Sequence, residues 1–220
     1  MSTTGAFAKR AFDVVGATVL LVLAAPLLLV LATAIRLQFR RPALFRQVRV
    51  VGSGRLAEII KLRTLGPDTI WDPDTCWAAP TQRCTSLGRF LRSTHLDELP
   101  QLVNVLRGEM SLVGPRPERP YFARQFGQEV PGYHGRNRMP AGLTGWAQVH
   151  GLNGDTSIHD RVQFDNSYIE NWSFWLDLTI LARTVACTVA TAVGSLTGSS
   201  GLVASDSEPV FSRTSHGGSR

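Results

Sequence analysis

The sequence predicts a mainly α-helical fold with one small β-hairpin, held at a membrane by a re-entrant helix and by amphipathic interfacial helices around a cytosolic domain. Three observations carry this. Residues 14–35 are uncharged and apolar, close to the ~20 residues a helix needs to cross a bilayer. The turn Gly52-Ser53-Gly54 separates two short apolar stretches, as in a hairpin. The later segments alternate helix-like patterns with Gly- and Pro-rich breaks. These features divide the chain into an N-terminal membrane helix-break-helix (1–41), a membrane-associated domain (42–193) and a disordered Gly/Ser-rich tail (194–220).

Within the first segment, Pro26 removes a backbone donor in the middle of the apolar run. Lys9 and Arg10 precede the run, and Arg36, Arg40 and Arg41 follow it. Basic residues mark the cytoplasmic side of a membrane, and here both ends are marked. A helix that enters, bends at Pro26 and returns satisfies both ends; a straight span is the competing arrangement. A signal peptide has a shorter apolar core than this one.

Residues 42–65 form the hairpin, and 66–85, rich in Asp, Pro and Thr, a loop. Residues 87–106 read as helix in two pieces divided near Pro100, with Pro100 opening the second. Residues 114–120, with three prolines, cannot continue a helix. A short helix over 121–130, a loop over 131–154 and an amphipathic helix over 155–169 follow. The aromatic-rich run 172–192 contains Asp177 and Arg183, which make spanning costly. It reads equally as an interfacial helix or as a core helix.

The 220 residues are 44% hydrophobic and 18% charged, enough for a packed core, with a net charge of +6. A basic chain suits nucleic acid, anionic lipid or phosphorylated substrates. Repeated basic–aromatic modules of the kind that read nucleic acid are missing. Three cysteines without a close pair form neither a disulfide framework nor a zinc site.

The chemistry centres on Asp97 and Glu98. An acidic pair beside a helix is ordinarily a cap or a solvated face. Around this pair, however, the sequence places Lys61 and Arg63, then Arg89 and Arg92, then Arg116 and Arg119. Arginine forks and lysine point charges suit phosphate oxygens.

These stretches resemble the bacterial sugar transferases, the monotopic polyprenyl-phosphate phosphoglycosyl transferases. The resemblance rests on ordered motifs spanning residues 9–190. They are Lys9-Arg10-Ala11-Phe12-Asp13, Phe45-Arg46-Gln47, Lys61-Leu62-Arg63-Thr64, Leu87-Gly88-Arg89-Phe90-Leu91-Arg92 and Asp97-Glu98-Leu99-Pro100-Gln101-Leu102. Further on come Met110 to Pro117, Gly142 to Val149 and Asp165 to Asp177.

The resemblance implies a catalytic domain that moves sugar-1-phosphate from a UDP-sugar to polyprenyl (undecaprenyl) phosphate, releasing UMP. It makes Asp97 the nucleophile of a covalent phospho-sugar intermediate and links Glu98, with Asp97, to Mg²⁺. It implies binding to membrane lipid at the cytoplasmic face of the bacterial inner membrane, no nucleic acid partner, and either a monomer or a homodimer. Lys61 and Arg116 become the leading phosphate ligands, with Arg63, Arg89 and Arg92 behind them and Gln148 from the later motif. Asp13, Asp165 and Asp177 take structural roles.

Two departures stand out. Ala25-Pro26 replaces the family's Ser-Pro. Pro140-Ala141-Gly142 replaces a basic-Pro-Gly, a loss for which Arg136 or Arg138 is the candidate substitute and which bears on donor choice. A phosphohydrolase using the same carboxylates and a non-catalytic scaffold are the alternative functions.

Overall fold

A computed structural model describes residues 3–66, 74–77, 84–154 and 156–196. It is mostly helical. Helix α1 (Thr3–Phe39) leads into the antiparallel hairpin β1 (Leu44–Val50) and β2 (Leu56–Leu62). Next come α2 (Ser86–Ser93), a 3₁₀ turn (Leu96–Gln101), α3 (Leu102–Leu106), β3 (Ser111–Val113) and α4 (Pro120–Glu129). A second 3₁₀ turn (Tyr133–Arg138), β4 (Gly142–Thr144), α5 (Trp146–Val149), α6 (Ile158–Glu170) and α7 (Phe174–Leu196) complete it. Strands β3 and β4 pair in parallel.

Helix α1 runs without interruption through Pro26 for 37 residues, so the break expected there takes the form of a proline inside a helix. Proline removes one donor, and the hydrogen bonds on either side suffice to carry the helix across it. One stripe of α1 faces the protein along its length: Lys9, Asp13, Ala17, Leu31, Ile35 and Phe39 are buried, with Leu21 and Leu28 partly so. The opposite side exposes Val15, Val19, Val22, Leu23, Leu29 and Val30. An apolar surface of that extent is stable only when something other than water covers it. Both α1 and α7 are long and apolar enough to cross a membrane by length and composition.

Polar contacts fix the N-terminal part of α1 to the body. Arg10 donates to the carbonyls of Val105 and Leu106 at 2.6 and 2.8 Å, closing the end of α3. The Asp13 carboxylate accepts from the Leu112 amide and the Ser111 hydroxyl, each at 3.0 Å. Lys9 meets Asp177 at 2.6 Å, and Tyr168 and Trp172 donate to the same carboxylate. The charge on α7 is thus paired and buried, as a buried carboxylate must be. Beyond it Val185, Val189 and Val193 are exposed. Helix α7 therefore has a core stretch around Ile180, as one of the two expectations had it, and an exposed apolar stretch beyond it.

The hairpin forms as expected. Gly52, Ser53 and Gly54 all have positive φ, the conformation a tight reversal demands and glycine supplies at no steric cost. The division expected at Pro100 falls instead at Thr94-His95, where His95 adopts φ 58° and ends α2. Pro100 sits inside the 3₁₀ turn. The region 131–154, expected as loop, holds the second 3₁₀ turn, β4 and α5. Its strand escapes sequence reading because three residues carry no periodicity. Residues 194–196 continue α7; the rest of the expected tail, and most of the loop 66–85, lie outside the described residues.

Candidate active site

A cavity of about 600 Å³ opens between the hairpin, the first 3₁₀ turn and the segment after β3. That volume suits a nucleotide-sized ligand. Asp97 and Glu98 sit side by side on the 3₁₀ turn and line this cavity, but their surroundings differ.

Glu98 is held by three hydrogen bonds. Arg116 donates through Nη1 and Nη2 at 3.1 and 2.6 Å, and Lys61 donates from β2 at 2.7 Å. Burial alone would raise its pKa, but Arg116 and Lys61 outweigh that and hold the carboxyl well below its ordinary range. In return, Glu98 raises the pKa of Arg116. Burial lowers that of Lys61, with Glu98 opposing.

Asp97 is only 8% exposed, yet its carboxylate makes no hydrogen bond or ion pair among the described residues. Burial, then the neighbouring Glu98 charge, pushes its pKa up to about 6 against the pull of Lys61 and Arg116. The pair therefore contains one satisfied, permanently ionised acid and one under-solvated acid facing the cavity.

The other predicted residues divide. Arg63 and Arg92 line the cavity, Arg92 donating to Thr64 at 2.8 Å. Arg89 turns away to the Cys84 carbonyl and the Ser86 hydroxyl. Arg136 is not a cavity cation: it is buried in an ion pair with Asp165 and donates to the Arg116 carbonyl at 3.0 Å, bracing the segment that carries Arg116. Gln148 donates to the Leu143 carbonyl at 3.3 Å and lies outside the cavity. The altered Pro140-Ala141 stretch does not line it either. Ala141 bonds through its backbone to Val51 and Ser111. Asp13, Asp165 and Asp177 take the structural places expected of them.

Sequence reasoning missed Arg49, His95, Glu118, Arg161 and Trp77, all on the cavity wall. Arg119, which the sequence noted only as a neighbouring cation, lines it too. Arg49 was detectable: Phe45, Gln47 and Arg49 alternate along β1 and present one face to the cavity. Burial lowers the Arg49 pKa to about 10, with Glu118 opposing. Arg119 and Arg161 come from segments distant in sequence, and no local pattern marks them.

The donor set also tests the expected Mg²⁺. Among the described residues no three His, Cys, Asp or Glu side chains are grouped to hold an ion. Both Glu98 oxygens are taken by cations, so Glu98 does not fit the metal-ligand role expected from the sequence. Asp97 fits a magnesium ion that takes one protein carboxylate and completes its shell with water and substrate phosphate.

The family described as bacterial sugar transferase matches residues 4–191. The chain belongs to that family. It is 45% identical to a UDP-glucose:undecaprenyl-phosphate glucose-1-phosphate transferase of Caulobacter vibrioides over 192 residues, 83% of this chain and 70% of that protein. A transferase of the same description from Escherichia coli is 41% identical, over 80% of this chain but only 39% of its own length. A UDP-N-acetylgalactosamine-undecaprenyl-phosphate N-acetylgalactosaminephosphotransferase of Aeromonas hydrophila is 38% identical, over 86% of this chain and 45% of that protein. These three relatives agree on the carrier lipid named and differ in the sugar.

Proposed function

We propose that this member of the family transfers sugar-1-phosphate from a UDP-sugar to polyprenyl phosphate, at the cytoplasmic face of a membrane that α1 enters and leaves on one side. The observation that carries the reading is the unpaired Asp97 carboxylate in a cavity whose wall also carries Lys61, Arg49, Arg63, Arg92 and Arg116.

In the first step an Asp97 oxygen attacks the β-phosphorus of the donor. The P–O bond to the α-phosphate breaks, UMP leaves, and Asp97 carries an acyl phospho-sugar. In the second, a polyprenyl phosphate oxygen attacks the same phosphorus, releasing Asp97 and forming the polyprenyl-diphospho-sugar. Splitting the transfer lets a water-soluble donor and a lipid acceptor use one carboxylate in turn. Magnesium on the diphosphate would add charge neutralisation at the leaving group.

The protein's own groups supply the rest. Arg49, Arg92 and Arg116 offset the repulsion between a carboxylate and a diphosphate. Glu98 keeps Arg116 and Lys61 pointed at the reaction centre. The ends of α1 support the one-sided topology: Lys9 and Phe39 both pack on the same body. The test is a radiolabelled UDP-sugar with purified protein and undecaprenyl phosphate. Label should move into the organic-extractable lipid and UMP should appear. Label released as water-soluble sugar phosphate would instead mean a hydrolase.

A further inference from the structure

Among the described residues, five buried side-chain polar atoms have no hydrogen-bond partner, and two of them belong to residues on the cavity wall: Arg161 Nε and Asn153 Oδ1. One is a donor and the other an acceptor. Arg161 is 4% exposed. Its Nη2 is spent on the carbonyls of Gly154 and Thr156 at 2.7 and 2.9 Å, which fixes the guanidinium. Asn153 directs its amide nitrogen to the Gln148 carbonyl at 3.2 Å, which leaves its oxygen turned the other way. A buried donor and acceptor left unmade cost more than a made hydrogen bond returns, so such pairs point to a ligand that completes them.

The same part of the wall carries Trp77. Its ring meets Phe122 and Phe126 edge to face at 4.8 and 5.4 Å, and Arg161 lies over it at 5.4 Å. Arg119 holds the backbone beneath it through the Cys76 and Trp77 carbonyls. Arg119 also lies over the ring, at 5.3 Å, so Trp77 is an aromatic side chain held in place beside a donor–acceptor pair. Asp97, Lys61 and Arg116 occupy another part of the same wall.

Building on the transferase reading, we infer that Trp77, Arg161 and Asn153 form the subsite for the nucleobase of the donor. Arg161 Nε donates to a uracil carbonyl, Asn153 Oδ1 accepts from uracil N3–H, and Trp77 packs against the ring. The diphosphate then extends to Asp97, and the sugar lies on the far side of the β-phosphorus, out of reach of this subsite.

UMP tests this, because it carries the base but not the sugar. Calorimetry of full-length protein in nanodiscs should show Asn153→Ala weakening UMP roughly tenfold, the scale of one buried hydrogen bond. The donor KM should rise by a similar factor, with kcat and the KM for polyprenyl phosphate little changed. N3-methyl-UMP checks the contact without relying on a variant fold. Wild-type protein should bind it roughly tenfold more weakly than UMP, and Asn153→Ala should bind the two alike. Equal binding of UMP and N3-methyl-UMP by wild-type protein overturns the subsite, as does unchanged UMP affinity in Asn153→Ala or a wild type that does not bind UMP. Asp97→Asn separates this from the reaction itself: it should bind UMP and transfer nothing. Transfer failing in wild-type protein sinks the proposed function, whereas intact transfer with flat UMP responses sinks only the subsite.

Discussion

Arg116 grips Glu98 through both terminal guanidinium nitrogens while Lys61 takes the same carboxylate from β2. This arrangement gives the acidic pair its asymmetry, because Lys61 and Arg116, the two cations that act most strongly on Asp97, are both committed to its neighbour.

Glu98→Gln keeps the shape and removes the charge. It strands Arg116 and Lys61, and breaking a buried pair from one side costs about 3 kcal/mol, readable as a lower urea midpoint. Because folding depresses the Glu98 pKa, its stabilisation is present above the ordinary value of 4.5 and lost as pH falls below it. The Gln variant should therefore lose stability less steeply than wild type on acidification.

Asp97 titrates the other way. Its pKa is raised from 3.8 to about 6, so only the ionised form attacks, and UMP release in a single-turnover assay should fall about tenfold per pH unit below 6. The same shift makes ionised Asp97 a destabilising group whose cost grows as pH rises from 3.8 through 6. Asp97→Asn should abolish transfer, by at least ~10³-fold. It should also raise stability at pH 7.5 by up to about 3 kcal/mol while changing it little at pH 3.5. A variant less stable than wild type at pH 7.5 would contradict this.

Gly142 faces backbone at very short range: a Cβ there would meet the Gly114 amide and the Thr144 carbonyl far inside contact distance. Gly142→Ala must separate β4 from the strand end that leads to Arg116. The expected result is loss of most activity with a melting temperature lower by about 5 °C or more. Gly151→Ala, with open space at its Cβ but a positive φ, should cost only about 1 kcal/mol and leave kcat unchanged.

Lys9 and Asp177 are both almost fully buried. Lys9→Ala leaves a lone carboxylate facing Tyr168 and Trp172, at a cost of about 3–5 kcal/mol. The double variant Lys9→Ala/Asp177→Ala should be less destabilised than the sum of the single changes, and denaturation of all three measures the coupling.

Much of the site could be read in the sequence because its charged core lies in short motifs. Lys61 stands out in Lys61-Leu62-Arg63-Thr64, Asp97 and Glu98 in the stretch before Pro100, and Arg116 between two prolines, and all four meet in one cavity. What escaped depended on tertiary placement. Arg89 and Arg92 share a helix three residues apart, yet only Arg92 faces the cavity. Arg136 looked like a replacement cation but is consumed by Asp165. Arg161 and Trp77 look like an ordinary surface cation and a loop aromatic until their contacts are known. Two adjacent acids could be separated into nucleophile and metal partner only by resemblance; their contacts separate them in a different way, with Glu98 paired to Arg116 and Lys61 and Asp97 unpaired.

The buried stripe on α1 bears on how the chain can be cut. Ala17 lies in the same cluster as Leu112 and Val113, and Asp13 caps the strand that runs on to Arg116. A truncation removing residues 1–41 would not liberate a soluble enzyme. It would deprive the core of one wall, leave Asp177 without its cation and free the Leu112 amide. The apolar helix α1 is therefore also scaffolding for the candidate site, and purification has to keep the two together.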